Sequence, residues 1–165
     1  MPGYWLFKSE PGEYSIDDLA REKRQTTRWE GIRNYQARNS LRDKVRNGDY
    51  LLFYHSSCRT TGVAGLCEVV SEPYPDPTQF DPASAYYDSK ATRDQPRWYA
   101  VDIALVRKLP DILATSLLRQ EKALDNMILF KNPRLSVQQV SESEWKTISA
   151  LAIRESGTRR ERTAL

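Results

Sequence analysis

The sequence predicts a single α+β domain in which a barrel-like, mostly antiparallel or mixed sheet is flanked by helices. Three observations point that way. Segments of strand character are interspersed along the chain with segments of helical period. One strand, residues 50–56, carries large apolar groups on both faces, Leu51 and Phe53 against Leu52 and Tyr54, as a strand covered on both sides must. A chain of 165 residues with 39% hydrophobic and 28% charged types is about one domain's worth, enough for a core without disulfide or metal support.

Each element follows from local pattern. Tyr4 to Ser9 is an aromatic-rich strand. Ser15-Ile16-Asp17-Asp18 has the S-x-x-D form of a capped helix start, with Ile16, Leu19 and Ala20 as its apolar face. Periodicity is lost over 25–33. A second helix fits 34–46, capped by Asn34 and stopped by Gly48, with Ala37, Leu41 and Val45 as one stripe and Arg38, Arg42 and Arg46 as another. Residues 50–56 and 62–70 read as paired antiparallel strands. Five of the nine prolines fall within 71–97, an irregular segment whose Tyr74, Phe80, Tyr86 and Tyr87 are expected to anchor it. Tyr99, Val101, Ile103 and Leu105 alternate along a strand at 98–106. A helix is expected over about 113–124 and a short strand over 135–140. Ser141-Glu142-Ser143-Glu144 is a capping box for a last helix, whose core face is Trp145, Ile148 and Ala152. The domain is expected over 1–153, with a disordered Arg-rich tail over 154–165.

Charge is unevenly spread. Residues 21–46 hold nine Lys and Arg against three acids, within a chain of net charge +3. Such a face is either the footprint of a phosphate-bearing partner or a solvated surface. No run approaches the roughly 20 apolar residues of a membrane helix, and no secretory signal is read at the start. Cys58 and Cys67 are too few for a disulfide scaffold. With His55, the sole histidine, they make an H-x2-C-x8-C spacing that lacks a second ligand pair, so neither metal nor cofactor is expected. Phosphate-loop, dinucleotide and nucleophile-elbow motifs are absent.

The candidate chemistry lies in Thr26 to Gln36. Trp29 sits among charged residues, either as a stacking platform for a base or as a loop tryptophan plugging one end of the barrel. Arg33 suits a phosphate, and Asn34 and Gln36 suit a base edge. Lys8-Ser9-Glu10-Pro11 and Tyr54-His55-Ser56 each end a strand with polar groups, which suits either a pocket mouth or ordinary turn capping.

Three stretches, Tyr4-Trp5-Leu6-Phe7-Lys8-Ser9-Glu10-Pro11, Trp29-Glu30-Gly31-Ile32-Arg33-Asn34-Tyr35-Gln36-Ala37-Arg38-Asn39 and Phe53-Tyr54-His55-Ser56, closely resemble the EVE domain. The resemblance covers about residues 3–152. It implies a PUA-like fold, as in YTH and ASCH domains, and a binding module rather than an enzyme. The implied partner is DNA or RNA carrying a modified base, such as a methylated or hydroxymethylated cytosine. The implied pocket is built from Lys8, Ser9, Trp29, Asn34, Tyr35, Gln36, Tyr54, His55 and Ser56, closed by Trp98 and the Pro75-Asp76 loop. Arg28, Arg33, Arg38 and Arg42 would hold the nucleic-acid backbone. A monomer is expected, cytoplasmic in a bacterium or nuclear in a eukaryote. The alternatives are an amidohydrolase of the ASCH type, with Lys8, Glu10 and His55 as its working groups, and a pocket for a small metabolite.

Overall fold

The computed structural model describes residues 1–164, with side chains through 155. Its strands are β1 (Tyr4–Ser9), β2 (Thr26–Trp29), β3 (Tyr50–His55), β4 (Gly62–Val69), β5 (Tyr74–Pro75), β6 (Tyr99–Ala114) and β7 (Val137–Val140). Its helices are α1 (Ile16–Arg21), α2 (Tyr35–Asp43), α3 (Thr115–Leu118), α4 (Ile128–Lys131) and α5 (Glu142–Ala164). The expected tail at 154–165 falls almost wholly among residues whose side chains lie outside the description.

The strands form one mixed sheet in the order β2-β6-β4-β3-β1-β7, with β5 pairing to β6 off this path. β1 and β3 run parallel, and the other pairings among the described residues are antiparallel. The expected barrel does not close: β2 and β7 are the two margins of an open sheet. The two-sided burial of β3 has another cause. Trp5, Phe7, Leu51 and Phe53 face a core completed by Leu19 of α1 and Leu41 of α2. Leu6, Leu52 and Tyr54 face a second core with Leu118 of α3 and Ile148 of α5. Helices on both faces thus bury alternate residues of the same strands.

The caps form as their residues dictate. Ser15 and Asp18 make the reciprocal box that starts α1. Asn34 Oδ1 accepts from the Ala37 amide at 3.0 Å to start α2. Ser141 and Glu144 exchange bonds of 2.9 and 3.2 Å at the start of α5.

Three segments differ from expectation. Residues 26–29, too short to show a period, become the margin strand β2 by pairing with Val101–Ala104 of β6. β6 runs on to Ala114, because Gly62 and Val63 of β4 pair with Ala114 and Leu113. The expected helix over 113–124 shrinks to the single turn of α3 and a 3-10 turn at Lys122–Leu124. Leu109, Leu113 and Leu117 are spaced by four, which suits one face of a helix and one face of a strand equally. Pairing with β4 decides for strand over the first two.

The proline-rich segment is ordered, but chiefly by polar groups. Gln79, fully buried, donates to the carbonyls of Asp76 and Trp98 at 2.7 and 2.8 Å and accepts from the amides of Arg97 and Trp98 at 2.9 and 3.0 Å. All four positions of its amide group are used. Of the expected aromatic anchors, Tyr74 donates to Asp102 at 2.6 Å, whereas Tyr86 and Tyr87 stay exposed.

Candidate nucleic-acid interface

β1 and β3 lie in register, with Lys8 beside Tyr54 and Ser9 beside His55, so their C-terminal ends emerge together. Where these ends meet β2 and the loop after it, a cleft of about 710 Å³ opens. Its walls are Lys8 to Glu10, Glu13 and Tyr14, Thr27 to Asn34, Ser56 and Ser57, Tyr86, and the turn before β7 with Pro133, Arg134 and Ser136. Of the residues singled out by sequence, the cleft gathers Lys8, Ser9, Arg28, Trp29, Arg33, Asn34 and Ser56.

Trp29 borders it from the side of the first core. The indole is only 7% exposed, packed at 5.8 Å from the Phe7 ring and edge-on to Phe53 and Tyr14 at 5.4 and 6.4 Å. It therefore both plugs the core and bounds the cleft. The Lys8 amine donates to the Pro133 carbonyl and lies 5.5 Å from the Tyr54 ring, and burial lowers its pKa. Ser9 Oγ donates to the Tyr14 carbonyl at 2.6 Å. Burial pushes the Tyr14 phenol up to about 12, so it stays a protonated donor, bonded to Glu22 at 3.1 Å. Arg28 pairs through Nε with Glu30 at 2.7 Å at the rim.

Arg33 is placed at the cleft but committed inward. Its five donor hydrogens go to the Ile32 carbonyl, the Asp76 carboxylate, Thr78 Oγ1 and, twice, the Tyr86 carbonyl, at 2.7–3.1 Å. No donor is left for a phosphate. Asp76, fully buried, also accepts from the amides of Gly31 and Thr78 and from the Thr78 hydroxyl. Burial pushes its carboxyl pKa up, but these bonds outweigh burial and hold it below the usual range. Gly31 completes the clasp. At φ +83° it lies under Tyr86, where an added Cβ would come within 2.6 Å of the ring.

The remaining predicted residues sit elsewhere. Tyr54 is buried in the second core, its hydroxyl sharing a 2.7 Å bond with Thr115. His55 Nε2 accepts from the Ile16 amide at 3.1 Å, so the ring caps α1 as a neutral acceptor, and burial lowers its pKa. Of the Lys8, Glu10 and His55 trio, only the first two line the cleft. Gln36 is exposed on α2. Tyr35 stacks on Trp98 at 4.8 Å beside the cleft, with Arg38 against the pair. Arg42 binds Asp43 at 2.7 and 2.9 Å. Cys67 is buried in the first core, its thiol pushed up to about 12 by burial, and Cys58 lies in the β3–β4 turn, so the H-x2-C-x8-C spacing does not assemble. Among the described residues no cluster of three His, Cys, Asp or Glu could hold a metal, and no helix is long and apolar enough to cross a membrane.

Sequence reasoning missed Glu13, Tyr14, Tyr86, Arg134 and Ser136. Ser136 falls inside the strand expected over 135–140, but the observed strand begins only at Val137 and leaves Ser136 in the turn before it. The others reach the cleft through loop paths that no periodicity encodes.

Comparison with known proteins agrees with this architecture. The chain is 38% identical to human thymocyte nuclear protein 1 over 172 residues, covering 94% of this chain and 76% of that protein. The structure of human THYN1 protein in complex with 5-methylcytosine containing DNA superposes with a TM-score of 0.86 at 38% identity, covering 91% of this chain and 97% of that one. A protein of Leishmania major superposes with a TM-score of 0.89 at 44% identity, covering 94% and 97%. The EVE domain profile matches residues 3–151, nearly the whole described chain, and the chain belongs to the EVE domain family.

Proposed function

We propose that the cleft captures one modified base of DNA or RNA, such as a methylated or hydroxymethylated cytosine, and that the protein reads that mark without turning it over. The observation that carries this reading is the cleft itself. Its volume has room for a nucleobase together with its sugar and phosphate, the Trp29 indole borders it, and its walls carry carboxylates, hydroxyls and cations. Glu10, Glu13 and Glu30 can accept from an exocyclic amine and Thr27 and Ser56 can donate to a ring nitrogen or carbonyl, while Ser9, whose hydrogen is held by the Tyr14 carbonyl, can only accept. A base inside a duplex cannot enter so recessed a site, so it arrives flipped or already unpaired. The human relative's structure with 5-methylcytosine containing DNA supports the choice of ligand class. A methyl group adds only about 0.8 kcal/mol on burial, so discrimination is about fourfold unless the unmodified base leaves a polar group unpaired. Such a protein acts where its polymer lies, in bacterial cytoplasm or a eukaryotic nucleus.

The test is titration with short DNA and RNA oligomers carrying one 5-methylcytosine, 5-hydroxymethylcytosine or N6-methyladenine beside unmodified controls. Preference for one mark, lost in the exposed-rim variant Tyr86→Ala, is expected. Equal, salt-sensitive binding to all would reduce the protein to a general nucleic-acid binder. Release of free acid from an acylated nucleoside would place turnover in the cleft instead.

A further inference from the structure

Beside the cleft lies an aromatic surface that the base-capturing site does not use. Tyr35 is 51% exposed, yet its ring is not loose: it lies on Trp98 with centroids 4.8 Å apart and planes inclined by 28°. Trp98 is itself buried and fixed by a 2.8 Å bond from Nε1 to Asp88. The Arg38 guanidinium is 4.8 Å from the Tyr35 centroid and 5.9 Å from that of Trp98. Were Arg38 on the opposite face of Tyr35 from Trp98, the second distance would approach twice the first. It does not, so Arg38 braces the margin of the pair and leaves the outer face of Tyr35 open. Nη1 of Arg38 is held by the Arg97 carbonyl at 2.6 Å, which keeps the brace in place.

This surface is continuous with the cleft. Asn34 lines the cleft and Tyr35 follows it in the chain. The Arg33 guanidinium spans the two, 5.4 Å from the ring of Tyr86 in the cleft wall and 5.3 Å from that of Trp98. A rigid, outward-facing ring, one residue from the cleft and edged by cations, matches what a second base requires: a flat partner, with electrostatic support for the chain that joins the bases. A side-chain partner would need no such flatness.

Resting on the reading of the cleft given above, we propose that the outer face of Tyr35 stacks on the base adjacent to the captured one. The preferred ligand is then a segment in which at least that neighbour is unpaired, and the protein reads a dinucleotide step rather than an isolated base.

The test uses the DNA trinucleotide T-5-methylcytosine-T, its cytosine counterpart, and versions with an abasic residue at one flank or the other. Wild-type protein is expected to lose about tenfold or more in affinity when one particular flank is made abasic, and little for the other. Tyr35→Ala should bind the intact trinucleotide as weakly as wild type binds the abasic one, with no further loss on removing that flank, while Tyr35→Trp should restore the difference. Equal wild-type affinity for the intact and both abasic ligands overturns the proposal and assigns the face to another partner. So does a Tyr35→Ala variant that weakens intact and abasic ligands alike. Failure of the cleft reading has a separate signature: wild type then shows no difference between the 5-methylcytosine and cytosine trinucleotides, and the proposal falls with it.

Discussion

Replacing Asp76 by Asn tests the clasp that shapes the cleft. Oδ1 accepts from the amide and hydroxyl of Thr78 at 2.8 and 2.6 Å, and Oδ2 accepts from the Gly31 amide and Arg33 Nη1 at 2.9 and 3.1 Å. Asparagine keeps one oxygen and turns an NH2 group toward two donors, whichever way it is placed. It also leaves the guanidinium, 22% exposed, without the carboxylate it is bonded to. Breaking a buried pair costs about 3–5 kcal/mol. Arg33 retains four bonds to neutral acceptors, which puts the cost at the lower end, about 3 kcal/mol. That is a fall of about 6–12 °C in Tm for a chain of this length, measurable by calorimetry or urea titration. The acid side provides a second reading. The folded carboxyl lies below its unfolded value, so its contribution is present above about pH 4 and is lost as pH falls through the folded value. Asp76→Asn should therefore flatten the acid limb of the stability profile. A change under about 1 kcal/mol, with an unaltered acid limb, would refute the clasp.

Trp29→Ala should cost about 3–5 kcal/mol by emptying a site packed against Phe7, Tyr14 and Phe53, so any binding loss in that variant must be read beside its denaturation curve. His55 titrates below its unfolded value because its ring is desolvated; its contribution is present above about pH 6.5 and fades as pH falls through the folded value. His55→Gln, which can still accept from the Ile16 amide, should remove that slope in thermal melts from pH 5 to 7. Arg33 spends every donor on internal acceptors and Arg42 lies outside the cleft, so the cleft's cations for phosphate are Lys8, Arg134 and Arg28, whose bond to Glu30 uses only Nε. The logarithm of affinity for a single strand against the logarithm of salt should then fall with a slope of about −2, and a slope of about −3.5 would show that the two α2 arginines also engage.

Strands and caps were legible because they are written locally. Leu51 and Phe53 against Leu52 and Tyr54 announce two buried faces, and Ser15 with Asp18 announces a helix start. What covered those faces was not legible, since helix and sheet bury an apolar side chain equally well. Hence the barrel that proved an open sheet. The site divides in the same way. Residues at strand ends, Lys8, Ser9 and Ser56, could be placed because register carries them to one rim. His55, next to Ser56, could not be told from them by sequence; its alternating position turns the ring inward, where the unpaired amide that opens α1 claims it. Arg33 looked like a phosphate ligand because a charge in sequence shows nothing of its partner, and Asp76 lies 43 residues further on.

Loops make most of this cleft, and loops ordinarily spend binding energy on becoming ordered. Here the ordering is built into the free protein. Gln79 ties Asp76 to Trp98, Asp76 ties the 76–78 turn to Gly31 and Arg33, and Arg33 ties both to the Tyr86 carbonyl. Each link is short, and all but the exposed Arg33–Tyr86 bond lie at least partly away from water, where leaving a group unmade costs more than making it gains. The chain of links ends at the two aromatic walls a ligand would meet, Tyr86 over Gly31 and Trp98 under Tyr35. On the proposed reading, a buried glutamine and a buried aspartate outside the cleft lining would thereby fix the spacing between a captured base and its neighbour. Substitutions at either should loosen the grip on both bases together, whereas substitutions at Tyr86 or Tyr35 should affect one at a time.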